Sequence, residues 1–206
     1  MRALVRAFDR LLCRATGVFE FCDDPECLLR LQWARTPRDL SLSDGTRVRA
    51  GAPVLMLHLW NEHLPHPLAN GPDLRWAARI HRMLVHSFRE VARWLVEQPE
   101  GEQVEAIGGI TVLALSADGR PTPLIQRLGF EVFPYRRALG RFGEFWENLY
   151  TWAIMWTFNP LSLRGRSLFH LRRAEIWMSR AAFLRRYGER ITQRHDNKEK
   201  LRAFVS

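Results

Sequence analysis

Apolar and polar residues alternate along the chain in a way that predicts helices and strands in the order of a layered α/β domain. Residues 2–15 place apolar side chains on one helical stripe and arginines on another side, which predicts an amphipathic helix. A longer helix is predicted over residues 74–98, because Asp73 can cap it and apolar residues recur every three or four positions. A short helix is predicted over residues 123–128, between a Thr-Pro start and Gly129.

Apolar runs between these helices predict strands. The run at 53–60, PVLMLHLW, is apolar at almost every position, which predicts a central strand covered on both faces. Further strands are predicted at residues 27–33, 39–42, 46–49, 104–115 and 130–134, the last of these as the final strand of the sheet. The fold class is therefore predicted as α/β, or α+β: a mixed central sheet of about five to seven strands covered by one long helix.

The C-terminal third differs from the rest in charge. Residues 1–135 carry 16 acidic and 16 basic side chains, whereas residues 136–206 hold the whole net charge of +9. The pattern there predicts two more helices, over residues 142–159 and 168–187. We therefore expect an α/β domain over residues 1–140, and a basic, tryptophan-rich helical extension packed on it over residues 141–206.

This extension favours a negatively charged partner. Indole rings favour the bilayer interface and guanidinium groups favour anionic headgroups, so a membrane-facing role is predicted for Trp152, Trp156, Arg164 and Arg166. Packing on the domain is a second interpretation. Nucleic-acid binding through the basic tail is a third, although the sequence contains no recognised nucleic-acid-binding motif.

Composition narrows the class of protein. Hydrophobic residues make up 47% and charged residues 26% of the chain, which excludes a disordered protein. The spacing of Cys13, Cys22 and Cys27 fits neither a zinc ribbon nor a C-x-x-C redox motif, so they are interpreted as ordinary thiols of a reducing compartment. No apolar run is long enough to span a membrane, and the N-terminus lacks a secretory pattern. We expect a cytoplasmic protein, peripheral on the inner membrane if the extension binds lipid.

The densest polar cluster follows the central strand, in the sequence LHLWNEHLPHP. There His58 can serve as a general base with Glu62 as its acid–base partner, and Asn61 and His63 are candidate ligand-binding residues. The alternative is a structural histidine bonded to the backbone, because no nucleophile lies beside the pair in the sequence.

Other candidates carry weaker signals. Ser87 and Arg89 on the long helix are candidate ligand-binding residues, although a serine in mid-helix commonly serves packing. His58, His63 and His66 lack the spacing of a zinc site, so no metal is predicted. The Gly-Gly-Ile-Thr run matches neither a dinucleotide fingerprint nor a P-loop, and no cofactor is predicted.

Several of these segments resemble the YkoP-like domain family. The residues that carry the resemblance are LSDG at 42–45, LHLWNE at 57–62, SFRE at 87–90, GIT at 109–111 and LGFEV at 128–132. The resemblance covers about residues 5–150. Such domains occur beside polysaccharide deacetylases and glycosyltransferases, so it implies an accessory or ligand-binding role in cell-envelope polysaccharide or glycolipid metabolism, with a glycan or lipid as ligand. It supplies no reaction.

A second, weaker resemblance is to the GCN5-related N-acetyltransferases. The order of elements after Pro53 and the segment Leu128–Glu131 are similar to the C-terminal half of that fold. This resemblance implies an acyltransferase with His58 and Glu62 as the acid–base pair. The R/Q-x-x-G-x-G/A loop that holds the coenzyme A pyrophosphate in that family is absent, and a proline-containing loop follows the strand instead. Whether the protein is an enzyme stays open.

Overall fold

The computed structural model describes residues 2–65, 73–112, 114–116, 119–135 and 173–188. Its α-helices in these ranges are α1 (Arg2–Thr16), α2 (Leu74–Glu97), α3 (Pro123–Leu128) and α4 (Arg180–Tyr187). Its strands there are β1 (Leu29–Arg35), β2 (Leu40–Ser41), β3 (Arg47–Val48), β4 (Pro53–Leu59), β5 (Ala106–Thr111), β6 (Glu131–Pro134) and β7 (Ala174–Ser179).

Five of the described strands form one mixed sheet in the order β1-β4-β5-β7-β6, and β2 and β3 form a separate hairpin. Strands β4 and β5 are parallel, while the other neighbouring pairs of the sheet are antiparallel. A parallel pair needs a crossover connection, and α2 supplies it. The predicted α/β fold with one long covering helix is confirmed.

Strand alternation gives the sheet two different faces. One face carries apolar side chains such as Leu31, Leu57 and Ile107, which pack under the buried side of α2. The other face carries Val54 and Trp177, which pack with the β2–β3 hairpin in a second apolar cluster. The hairpin covers only part of this face, and the rest of it holds the polar residues described below.

Local sequence signals place α2 and α3 where they were predicted. The Asp73 carboxylate accepts a hydrogen bond of 2.7 Å from the backbone N–H of Trp76 and so caps α2. Gly129 ends α3 with a positive φ of 82°, a conformation that suits glycine. The aromatic ring of Phe88 on α2 packs against Phe183 and Tyr187 of α4, which lies on the same face of the sheet.

The predicted helix over residues 168–187 is wrong at residues 174–179, which form β7. Because β7 follows residues 130–134 in the chain, that segment is not the final strand. In the sheet β7 lies between β5 and β6. All six β7 residues are buried, with Ile176 under α2 and Trp177 on the hairpin side. A strand buried on both faces loses the period of two that distinguishes it from a helix, which explains the wrong prediction.

Several predictions for the extension fall outside the described residues. They are the boundary at residues 140/141, the helix over 142–159, and the membrane-facing residues Trp152, Trp156, Arg164 and Arg166. Residues 174–187, which were assigned to the extension, contribute β7 and α4 to the layers of the domain. Among the helices that the structure describes, none combines the length and apolar character that crossing a membrane requires.

The indole of Trp177 lies directly against the backbone of Gly108 on β5. A Cβ placed on Gly108 would come within 2.3 Å of the Trp177 ring, which is closer than atoms can approach. Gly109 faces the other side, where a Cβ would meet the backbone oxygen of Leu57 at 3.0 Å. Glycine at 108 is therefore required by the packing of the tryptophan.

Gly108→Ala should lower the free energy of unfolding by about 1–3 kcal/mol, because the added methyl forces Trp177 out of its site. The measurement is the urea midpoint of the full chain. Gly109→Ala is the matched control and should cost less, since the atom it approaches lies farther away. Equal losses for the two variants would contradict this account of the packing.

Candidate functional site

A buried arginine in β1 organises the polar part of the second sheet face. Arg30 stands in an otherwise apolar run and is only 5% exposed. Its Nη1 donates to Oδ2 of Asp9 at 3.1 Å and its Nη2 donates to Oε1 of Glu20 at 3.0 Å. Oε2 of Glu62 lies 3.7 Å from Nη2. A buried guanidinium needs such partners, because an isolated charge in the interior is strongly unfavourable.

Three chain segments bring these carboxylates together. Asp9 lies on the side of α1 that faces the sheet, and it is buried. Glu20 follows α1 in a segment that pairs with β1 through backbone hydrogen bonds between Phe19 and Leu31. Glu62 belongs to a 3-10 turn, Asn61–His63, directly after β4. The Arg30 side chain therefore joins α1 and the end of β4 to β1.

Trp60 forms one wall of this site. The guanidinium carbon of Arg30 lies 4.7 Å from the centroid of the Trp60 ring, and the His63 ring stacks on Trp60 at 3.7 Å and 18°. Nδ1 of His63 lies 2.8 Å from the carbonyl oxygen of Cys27, which holds the imidazole in place. Nε1 of Trp60 and Nε of Arg30 are buried, and neither has a hydrogen-bond partner among the described residues.

An open cleft of about 470 Å³ lies over these groups. Its lining residues, which define the Arg30 cleft, are Arg10, Cys13, Arg14, Val18, Glu20, Arg30, Trp60 and Glu62. The cleft lies at the carboxyl end of β4, and ligands of α/β domains commonly bind at the carboxyl ends of strands. It combines guanidinium donors, carboxylate acceptors and an indole ring in one place.

Burial and neighbouring charges set the protonation states in the cleft. Burial, together with the Asp9 carboxylate, raises the pKa of the Cys13 thiol above its ordinary value of 9.0, which keeps it protonated at neutral pH. Burial alone lowers the pKa of Arg30, but Cys13, Asp9 and Glu20 outweigh this effect and raise it. The cleft therefore holds a permanent cation and a thiol that is a poor nucleophile.

His58 is fixed by a hydrogen bond to the neighbouring strand. Its Nε2 lies 2.8 Å from Oε1 of Gln32, and the Gln32 amide donates to the carbonyl of Thr16 at 2.7 Å. The amide orientation makes Nε2 of His58 the donor. Burial and the charge of Arg30 lower the His58 pKa, so the ring is neutral at pH 7.

The structure does not join the predicted acid–base pair. Within the described residues His58 bonds to Gln32 and Glu62 pairs with Arg30, and no hydrogen bond links His58 to Glu62. Both side chains neighbour Arg30, however, which places them at the same end of β4. The catalytic assignment stays a prediction.

The other candidate ligand-binding residues, Asn61, Ser87 and Arg89, do not lie together: Asn61 is next to the cleft, whereas Ser87 and Arg89 are on α2. Asn61 lies beside the cleft residue Glu62 and donates from Nδ2 to the carbonyl of Leu59 at 3.3 Å. Ser87 is fully buried within α2, where its hydroxyl donates to the carbonyl of Met83 and accepts from the backbone N–H of Leu28.

Arg89 is exposed and also lies on α2. Burial raises the pKa of Tyr187 on α4, and the positive charge of Arg89 opposes this rise. The structure therefore does not bring Ser87 or Arg89 to the Arg30 cleft. In the part of the chain that is described, no three histidine, cysteine, aspartate or glutamate side chains are grouped as a metal site requires.

Sequence reasoning missed the residue at the centre of the site. The signal was present in CLLRLQW, where a single charged residue interrupts a mostly apolar segment that is predicted as a strand. Such a charge must find partners, and its partners here come from α1 and the turn after β4. Asp9, Glu20 and Cys13 had no local signal, because only the tertiary fold brings them to Arg30.

The parallel strands separate at this end of the sheet. Pairing between β4 and β5 ends at Leu57 and Gly109. Strand β4 continues for two more residues against β1, and β5 continues for two more against β7. The two strands therefore part at their carboxyl ends, next to His58.

Comparison with known proteins identifies one family. The model of the YkoP domain matches residues 1–187, which include every described helix and strand. No curated protein and no solved structure matches the chain. The match extends across β7 and α4, in agreement with their place in the sheet and helix layer.

His58→Gln should make stability less dependent on pH. The His58 pKa is lowered in the folded state, so below the ordinary value of 6.5 the unfolded chain binds a proton that the folded protein does not. Stability is therefore lost as pH falls from about 6.5 towards the folded pKa, by at most about 1.4 kcal/mol per pH unit.

Urea unfolding of the full chain between pH 7 and pH 5 measures this slope. The slope should be shallower for His58→Gln than for the wild type, with His81→Gln on α2 as the control for loss of a histidine. Identical slopes for wild type and His58→Gln would show that His58 does not titrate differently in the two states.

Proposed function

The chain belongs to the YkoP domain family, and from this premise we propose that it is an accessory, ligand-binding domain of bacterial cell-envelope polysaccharide or glycolipid metabolism. The Arg30 cleft is the proposed binding site, and the protein works peripherally at the inner face of the membrane. The observation that carries the proposal is the chemistry of the cleft. It holds charged donors, charged acceptors and the indole ring of Trp60.

A sugar suits this combination of groups. Each sugar hydroxyl both donates and accepts hydrogen bonds, so it can bridge a guanidinium and a carboxylate in the same site. Glu20 and Glu62 offer the acceptors, while Arg10 and Arg14 offer donors at the opening. A simple anion would be repelled by the carboxylates, and a simple cation by the arginines.

Binding without chemistry is favoured by the state of the reactive groups. The raised pKa of Cys13 keeps its thiol protonated at neutral pH, which makes the thiol a weak nucleophile. The Nε2 proton of His58 is already engaged by Gln32. Both features support a role in recognition.

Charge supports the membrane part of the proposal. Residues 136–206 carry the whole net charge of +9, and anionic lipid attracts such segments. Trp152, Trp156, Arg164 and Arg166 remain the proposed lipid contacts of this part of the chain. Nucleic-acid binding by the same charge stays a weaker alternative, because no recognised motif accompanies it.

Calorimetric titration with β-1,4-linked N-acetylglucosamine tetramer, and with its de-N-acetylated form, tests the proposed site. The full chain should bind at least one of them, and Glu62→Gln should raise the Kd about tenfold by weakening one charged hydrogen bond. Glu90→Gln on α2 is the matched control, since its carboxylate pairs with Arg93 away from the cleft. Binding of neither glycan, or equal Kd values for Glu62→Gln and wild type, would remove the Arg30 cleft as a glycan site.

One structural observation favours acyl transfer as a second candidate. Pairing between β4 and β5 ends at Leu57 and Gly109, which leaves a gap in the ladder of backbone hydrogen bonds beside His58. An extended acyl-carrying arm could pair with strand edges in such a gap. Under this hypothesis His58 and Glu62 would act as the acid–base pair.

Titration with acetyl-coenzyme A separates the two candidates. An accessory glycan-binding domain should show no binding up to about 1 mM, the upper end of ordinary enzyme affinities. Binding below that concentration, with release of free coenzyme A in the presence of glucosamine oligomers, would replace the leading proposal by acyl transfer. Desulfo-coenzyme A is the control for adventitious binding of the nucleotide part.

A further inference from the structure

The outward side of α1 is apolar, although the helix lies on the surface. Ala7, Phe8, Leu11 and Ala15 are all exposed, with Phe8 51% and Leu11 62% accessible. At 100° per residue these four positions form one continuous stripe along the helix. The opposite side of α1 carries Asp9, which points to Arg30 and is buried.

A basic edge separates this stripe from the Arg30 cleft. Arg10 and Arg14 are exposed, lie four residues apart and therefore share one side of α1. Both side chains also line the cleft. Around the helix the order is thus the buried Asp9 and the half-buried Cys13, then the two arginines, then the apolar stripe.

We propose that α1 docks the protein on an anionic lipid surface, with the apolar stripe in the interface and Arg10 and Arg14 among the phosphates. An apolar stripe flanked by arginines is the arrangement of helices that lie in the plane of a membrane. The arginines give the charge complementarity that selects anionic lipid as the partner.

Docking in this orientation determines what the cleft can reach. Because Arg10 and Arg14 line the cleft and also contact the phosphates, the mouth of the cleft opens into the headgroup layer. The ligand is then a lipid-linked glycan rather than a free one. This inference rests on the proposed function for the glycan, but the docking itself can be measured without any glycan.

Co-sedimentation with phosphatidylcholine vesicles, with and without phosphatidylglycerol, tests α1 in the full chain. The protein should sediment with the anionic vesicles only. Leu11→Gln should weaken this binding about tenfold by removing a buried apolar side chain from the interface. Arg10→Gln together with Arg14→Gln should weaken it about 25-fold, about fivefold for each charge.

Matched controls exist on α2. Leu74 is 89% exposed, and Arg75 and Arg79 are exposed arginines with the same spacing as the pair on α1. Leu74→Gln, and Arg75→Gln with Arg79→Gln, should bind anionic vesicles like the wild type. The α1 substitutions are at exposed positions, and unchanged urea midpoints confirm that the variants fold.

Three results would overturn the assignment of α1. The first is that Leu11→Gln binds anionic vesicles as strongly as the wild type does, above all if the double variant Trp152→Ala and Trp156→Ala no longer binds them. The second is no binding of the wild type to anionic vesicles. The third is a dimer in light scattering that Leu11→Gln converts to a monomer, which would make the stripe an interface between two copies.

The glycan titration and the vesicle experiment can each fail while the other succeeds. If glycan binding depends on Glu62 but vesicle binding ignores Leu11, the proposed function stands and the docking inference falls. If vesicles bind through α1 and no glycan binds, the docking surface stands and the glycan site falls.

Discussion

The buried charge of Arg30 is the constraint on which the second face of the sheet depends. A guanidinium inside a strand is tolerated only if carboxylates reach it, and three segments supply them. Removal of one partner of a buried pair commonly costs about 3–5 kcal/mol, because the other charge is left without compensation. The same contacts position α1 and shape the cleft. Stability and the shape of the cleft are therefore coupled in this protein, since a substitution at Asp9 or Arg30 changes both.

The two faces of the sheet are stabilised by different interactions. The face under α2 is apolar and closes the main core, with Phe88 against the aromatic rings of α4. On the other face the β2–β3 hairpin is held to β7 by a hydrogen bond from Ser179 to Asp44, and this bond lowers the pKa of the Asp44 carboxyl. The hairpin end is thus held by apolar packing and by this hydrogen bond, and the α1 end by ion pairs. Of these two described ends, the charged one holds the Arg30 cleft.

Local signals predicted the elements whose ends are set by nearby residues. Asp73 and Gly129 marked helix ends that the structure reproduces, because caps act within a few residues. Strand β7 was missed, since a strand buried on both faces has no alternation to reveal it. The partner of His58 was also unpredictable, because the Gln32 bond depends on the register between β1 and β4.

The position of β7 has a consequence for how the chain is made. In the described sheet β6 pairs only with β7, and β7 also pairs with β5, so β6 has no strand partner until β7 is present. A nascent chain leaving the ribosome must therefore hold β6 unpaired until residues 174–179 emerge. During that interval the exposed edges of β5 and β6 are open to chaperones and to association between chains. Synthesis therefore includes a stage at which these strand edges are unpaired, and β7, the last of the described strands, ends that stage.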